Sequence, residues 1–114
     1  MSAEMHYLRR GYTPAYRTTE INGLDTISVW TPTSSTRLTL TGISISSNLG
    51  GTIALYWGNL AGTKVAEWFV AGSASINPTL GPIEGTMYDR SLFAKVSASA
   101  SDAWHVNLTG FEIP

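Results

Sequence analysis

Apolar residues recur along this chain at a spacing of two, and Gly, Pro, Asn or Asp interrupts them about every 8–12 residues. Strand side chains alternate between two faces, whereas helical side chains return to one face every three to four positions. The pattern therefore points away from a helical domain and toward an all-β sandwich or barrel. Strands are expected near Thr26–Thr31, Thr36–Ser46, Thr52–Trp57, Lys64–Val70, Ser73–Thr79, Thr86–Tyr88, Ser91–Ser97 and Trp104–Ile113. The breaks between them carry turn chemistry, as at Asn48-Leu49-Gly50-Gly51, Gly58-Asn59, Ala71-Gly72, Gly81-Pro82 and Ser101-Asp102.

Parity assigns the faces. Ile53, Leu55 and Trp57 share one side, as do Leu92, Ala94 and Val96, and Trp104, Val106 and Leu108. These are the expected core. Their opposite sides carry Thr52 and Tyr56, then Phe93 and Lys95, then His105, Asn107 and Thr109. Tyr56-Trp57 and Trp68-Phe69 are adjacent pairs, so one aromatic of each pair must face away from the core. With Trp57 and Trp68 inside, Tyr56 and Phe69 emerge, and with Phe93 they form a candidate interface or a platform for sugar stacking.

An internal echo adds topology. Leu38-Thr39-Leu40-Thr41-Gly42-Ile43-Ser44-Ile45 and Val106-Asn107-Leu108-Thr109-Gly110-Phe111-Glu112-Ile113 both read apolar-x-Leu-Thr-Gly-apolar-x-Ile. In both, the apolar parity slips at the Thr-Gly step, the signature of a β-bulge. Two long strands bulging alike, one early and one last, are expected to be neighbours in one sheet. Jelly rolls pair an early strand with the last one in this way. The expected fold is thus a single antiparallel, jelly-roll-like β-sandwich over residues 26–114.

Residues 1–25 differ. They lack apolar alternation and interleave Tyr7, Tyr12 and Tyr16 with Arg9, Arg10 and Arg17. Pro14, Gly11 and Gly23 disfavour a long helix. An extended N-terminal arm of this length reaches up to about 80 Å. Arginine and tyrosine are favoured at protein–protein hot spots, so Tyr7, Arg9, Arg10, Tyr12, Tyr16 and Arg17 are the expected partner-binding residues.

The chain has 114 residues, enough for one domain with its own core. It contains no cysteine, so disulfides, thiol nucleophiles and cysteine-ligated metals are excluded. Seven Lys+Arg stand against eight Asp+Glu for a formal charge of −1, a balance that disfavours nucleic acid as a partner. Charged residues make up 13% of the chain, about half the usual share, which suits a subunit largely covered by neighbours. No stretch approaches the roughly 20 apolar residues of a spanning helix, so no membrane partner is expected. MSAEMHYLRRGY carries charges from its start and no apolar run of signal-peptide length, so synthesis in the cytoplasm is expected.

Catalytic signatures are weak. His6 and His105 sit at no recognised ligand spacing with Glu67, Glu84, Asp89 or Asp102, so neither metal nor cofactor is expected. Glu67 and Glu84 could form a carboxylate pair across strands, the one hydrolase arrangement the sequence offers. No GxSxG elbow, P-loop or dinucleotide fingerprint occurs. The expectation is a protein without enzymatic activity.

An arm, then Arg37-Leu38-Thr39-Leu40-Thr41-Gly42-Ile43-Ser44, Gly51-Thr52-Ile53-Ala54-Leu55-Tyr56-Trp57-Gly58 and a closing Trp104-His105-Val106-Asn107-Leu108-Thr109-Gly110-Phe111-Glu112 follow one another. That texture resembles the small β-sandwich decoration (cement) proteins of tailed-bacteriophage capsids. The resemblance implies a virion protein on the capsid exterior, often a homotrimer, that stabilises the shell by binding the major capsid protein. It implies that the arm supplies contacts by adding a strand to a partner sheet. Tail-tip and head-fibre modules share the texture, so a carbohydrate- or receptor-binding sandwich is the alternative.

Overall fold

The computed structural model describes residues 12, 14–22, 26–58, 63–79, 82–97 and 103–114. Among them lie nine strands: β1 (Pro14–Asn22), β2 (Thr26–Trp30), β3 (Arg37–Ser47), β4 (Gly51–Trp57), β5 (Thr63–Val70), β6 (Ala74–Ile76), β7 (Ile83–Glu84), β8 (Leu92–Ser97) and β9 (Ala103–Ile113). All pairings are antiparallel. Sheet A has the order β1-β9-β3-β6, with the two-residue β7 also on β3, and sheet B has the order β2-β8-β4-β5. With β7 set aside, the chain crosses between sheets at every step except the β4–β5 hairpin, and the expected all-β sandwich is the fold.

The core lies between the sheets where parity places it. Ile53, Leu55, Leu92, Ala94, Val96, Trp104, Val106 and Leu108 are all buried, and Trp57 and Trp68 pack partly buried against them. Three strand assignments differ from expectation. Thr86–Tyr88 is not a strand; the bridge forms at Ile83–Glu84, and Met87 to Asp89 turn, with Asp89 at φ 60. The Asp89 carboxylate holds that turn by accepting a hydrogen bond from the Ser35 amide at 2.7 Å. Of Ser73–Thr79, only Ala74–Ile76 pairs, and Pro78, with no amide to donate, follows closely.

The third difference concerns the arm. Residues 14–22 form β1, paired with β9 in an unbroken register from Pro14↔Phe111 to Asn22↔Ala103. The boundary drawn at residue 25 is therefore corrected: Pro14–Asn22 belongs to the sandwich as a strand of sheet A. The sequence conceals this strand because its inward positions are Ala15, Arg17, Thr19 and Ile21, of which Ile21 alone is a large apolar residue. Arg17 takes a core-facing seat by laying its guanidinium over the Trp30 ring, 5.1 Å from the centroid. It also faces Glu112 at 3.9 Å.

The internal echo does mark neighbours, since β3 and β9 form the central pair of sheet A. Only β3 bulges. Leu40 pairs with Gly110 and Gly42 with Thr109, leaving Thr41 as the extra residue. The bulge keeps Ile43 and Ile45 on the face of Leu38 and Leu40. In β9 the slip has another cause: Trp104, Val106 and Leu108 face the core, whereas Phe111 and Ile113 are buried on the outer face beneath Tyr12. Gly110 is required there, because a Cβ would fall on the Thr39 carbonyl oxygen.

Candidate functional site: two outer faces and one open edge

The registers build the outer face of sheet B row by row, because cross-strand partners share a face. One row runs Ser28, Phe93, Tyr56, Lys64 from β2 to β5. The next runs Lys95, Ala54, Glu67 from β8 to β5, and the third places Thr52 beside Phe69. The expected aromatics Tyr56, Phe69 and Phe93 thus occupy one face of one sheet. Tyr56 and Phe93 are cross-strand neighbours, whereas Phe69 stands two rows away, so Tyr56 and Phe69 do not form a contact pair.

Exposure grades this face. Phe69 is 71% exposed, Tyr56 and Phe93 are half-buried, and Ala54 is buried between its neighbours. The Lys64 ammonium lies 5.9 Å from the Tyr56 ring centroid and 3.4 Å from the Glu67 carboxylate. Both partners of that ion pair are exposed, so it adds little stability.

The outer face of sheet A is of another kind. Tyr16 and Thr109 form one cross-strand pair, Thr18 and Asn107 the next, Glu20 and His105 the third. Thr18 donates to the Asn107 side-chain carbonyl at 2.9 Å, and the Thr41 and Thr109 hydroxyls lie 3.4 Å apart. At its far end Phe111 and Ile113 are sealed under Tyr12. Tyr16, 63% exposed, is the large apolar side chain that stands out of this face on β1.

Of the six expected arm residues, Tyr7, Arg9 and Arg10 lie outside the described residues. Tyr12 packs within the molecule, Arg17 is turned inward over Trp30, and Tyr16 is presented outward. Glu67 and Glu84 do not converge: Glu67 is on the outer face of sheet B, and Glu84, opposite Thr39, is on the outer face of sheet A. His105 is exposed on β9. It borders a shallow recess of about 390 Å³ whose lining includes Ser46, Ser47, Asn48, Ser73 and Ser75. Asn48 fixes that recess by accepting from the Ala103 amide at 2.7 Å through its side chain and from the Ser73 amide at 2.9 Å through its backbone. Among the described residues, no three His, Asp or Glu side chains come together as a metal site.

The sheet edges were not anticipated from sequence. Each edge strand of sheet B is interrupted: β2 carries an extra residue at Val29, and β5 carries one at Val65 next to Lys64. Bulges and lysines of this kind deter edge-to-edge pairing. β1 has neither across its nine residues, and its one partner among the described strands is β9. No described strand pairs with its other edge.

No protein-family profile and no curated protein matches the chain. Solved structures do. A protein of the disulfide-linked pili that form Bacillus endospore appendages superposes with a TM-score of 0.54 at 16% identity, over 90% of this chain and 91% of that one. The core of a Drosophila protein, NLP, described in terms of pentamer formation and histone binding, gives 0.52 at 11% identity, over 90% and 100%. A chain of the cyanophage Pam1 capsid asymmetric unit gives 0.47 at 18% identity, over 90% and 84%. At these identities the likeness is one of fold.

Proposed function

We propose that the chain is a non-enzymatic structural subunit of a bacteriophage particle, decorating the outside of the capsid by binding the major capsid protein. The carrying observation is the edge of β1 that no described strand pairs with, nine residues without bulge or lysine that include exposed Tyr16. A capsid strand laid along β1 extends sheet A, and its backbone amides and carbonyls are satisfied by the contact itself. Tyr16 supplies a rigid aromatic anchor beside that edge. The sequence upstream adds Tyr7, Arg9 and Arg10, residue types favoured at such contacts. Work of this sort needs buried area rather than chemistry. The pilus protein and the NLP core, whose descriptions concern assembly, lend support.

The test is cosedimentation of the full chain with expanded capsids of its own phage. Saturable binding is expected, weakened about tenfold or more in Tyr16→Asp. Absence of binding by the unaltered chain would overturn the proposal.

A second reading, a glycan- or receptor-binding module, draws on the exposed Phe69 and the hydroxyl-lined recess beside His105. It requires that glycan titration quench tryptophan fluorescence and that Tyr16→Asp leave the quenching intact.

A further inference from the structure

We infer that the outer face of sheet B is a self-association surface, closing a two-fold dimer of this chain about an axis that runs along β4. The inference stands apart from capsid binding and rests on the order of charges across one row.

Lys95, Ala54 and Glu67 sit side by side on β8, β4 and β5. When two copies pack face to face with the axis along β4, β8 of each copy lies over β5 of the other. Lys95 of each copy then meets Glu67 of the second copy, and the contact occurs twice by symmetry. Ala54, buried and without a projecting side chain, lies on the axis and lets the faces approach. One row along, Phe93 meets Lys64 of the second copy, and Tyr56 meets its own counterpart. An ammonium over an aromatic face is the geometry that Lys64 already adopts toward Tyr56 within one chain.

The other two-fold available to the same face runs across the strands. It sets Lys95 on Lys95 and Glu67 on Glu67, like charges directly opposed, and is disfavoured. Charge order therefore selects one axis. Lys95 is exposed and has no hydrogen-bond or ion-pair partner among the described residues, whereas Lys64 already pairs with Glu67. The partner that Lys95 lacks among the described residues is supplied by the second copy.

Size sets the strength. Strands spaced about 4.8 Å apart make this face roughly 15–20 Å on each side. Two such faces bury less than the roughly 1,200 Å² of a stable complex, so the dimer belongs to the weak, concentration-dependent class. Tethering many copies on one surface raises its effective strength without new contacts.

The test is sedimentation equilibrium of the full chain up to about 1 mM, the range in which weak association becomes visible, alone and as charge-reversed variants. The unaltered chain is expected to show a monomer–dimer equilibrium that weakens with added salt. Lys95→Glu alone and Glu67→Lys alone each oppose like charges twice and should weaken the dimer about tenfold or more. An equimolar mixture of the two variants opposes unlike charges at both positions, and dimers should reappear at near the original strength. That rescue needs both variants folded, so it separates lost docking from lost structure. The inference is overturned by a chain that stays monomeric at the highest concentration, or by one that forms a trimer instead. It is equally overturned if either reversal leaves the dimer unchanged, or if mixing fails to restore it while both variants melt as the unaltered chain does.

Discussion

The two outer faces of this sandwich spend their side chains differently. On sheet A, hydroxyls and amides hydrogen-bond across strands, and Phe111 and Ile113 disappear beneath Tyr12. On sheet B, Phe69 stands 71% exposed and Lys95 points to solvent without a partner among the described residues. One face is committed to the fold, and the other contributes little to it. The difference teaches that an outward position in a sandwich is not automatically a surface position. Burial on the far side of a sheet ties a peripheral strand down, here β1 through Tyr12, and removes that area from any partner.

Unfolding measurements can break this comparison, beginning with its most demanding element. Phe111→Ala on sheet A should cost about 3–5 kcal/mol, the usual range for a buried phenylalanine, read as a lower midpoint in urea. Phe69→Ala on sheet B should lie within about 0.5 kcal/mol of the unaltered chain. Equal costs for the two would abolish the distinction between the faces.

Gly110→Ala sharpens the account of sheet A, because its Cβ has nowhere to go but the Thr39 carbonyl. A loss of about 2–3 kcal/mol is expected from the forced separation of β3 and β9, seen as a lowered thermal midpoint. Little change in that midpoint would mean that the bulge at Thr41 adapts. Arg17→Ala should cost about 1 kcal/mol, since its contact with Trp30 is partly shielded while its ion pair with Glu112 is long, at 3.9 Å, and exposed on the arginine side. Raising the salt should reduce only the smaller, ionic share. Smallest of all, Thr18→Val removes one exposed hydrogen bond and should cost no more than about 0.5 kcal/mol in the same urea titration. A larger loss would show that the polar lattice of sheet A is cooperative.

Much of this fold is legible in the sequence because it obeys a two-residue period. Ile53, Leu55, Leu92, Ala94, Trp104 and Val106 declare their strand and their inward face at once. The repeated Leu-Thr-Gly step even announces that β3 and β9 are adjacent. What hides is whatever departs from that period for a tertiary reason. β1 hides because Arg17 occupies an inward seat, which its contacts with Trp30 and Glu112 make tolerable. β7 hides because a two-residue bridge is specified by Thr39 and Leu40, some 40 residues distant, and not by its own residues. The slip in β9 resembles a bulge because a change of buried face and an inserted residue leave the same mark on the apolar pattern.

The candidate surfaces divide along the same line. Parity alone turns Tyr56, Phe69 and Phe93 outward, but only the register reveals that they share one sheet and that Phe69 stands apart from the other two. Glu67 and Glu84 look like potential partners in one dimension and end on opposite sides of the sandwich. Edges cannot be read at all until the strand order is known, so the side of β1 that no described strand pairs with and the bulged margins of sheet B have no sequence signature.

The position of β9 governs how the molecule comes to exist. It lies between β1 and β3, and neither of those strands has the other as a neighbour. Until β9 arrives, both expose full rows of unpaired amides, and half of the sandwich has no spine. The closure joins Pro14 to Phe111 and Arg37 to Ile113, spans that make ordering slow relative to chains rich in local contacts. Sheet B can begin from the shorter β4–β5 hairpin and wait. Folding of this protein should therefore be limited by a late, all-or-none zipping of one strand, and the hazard of misassembly is concentrated in the interval before it.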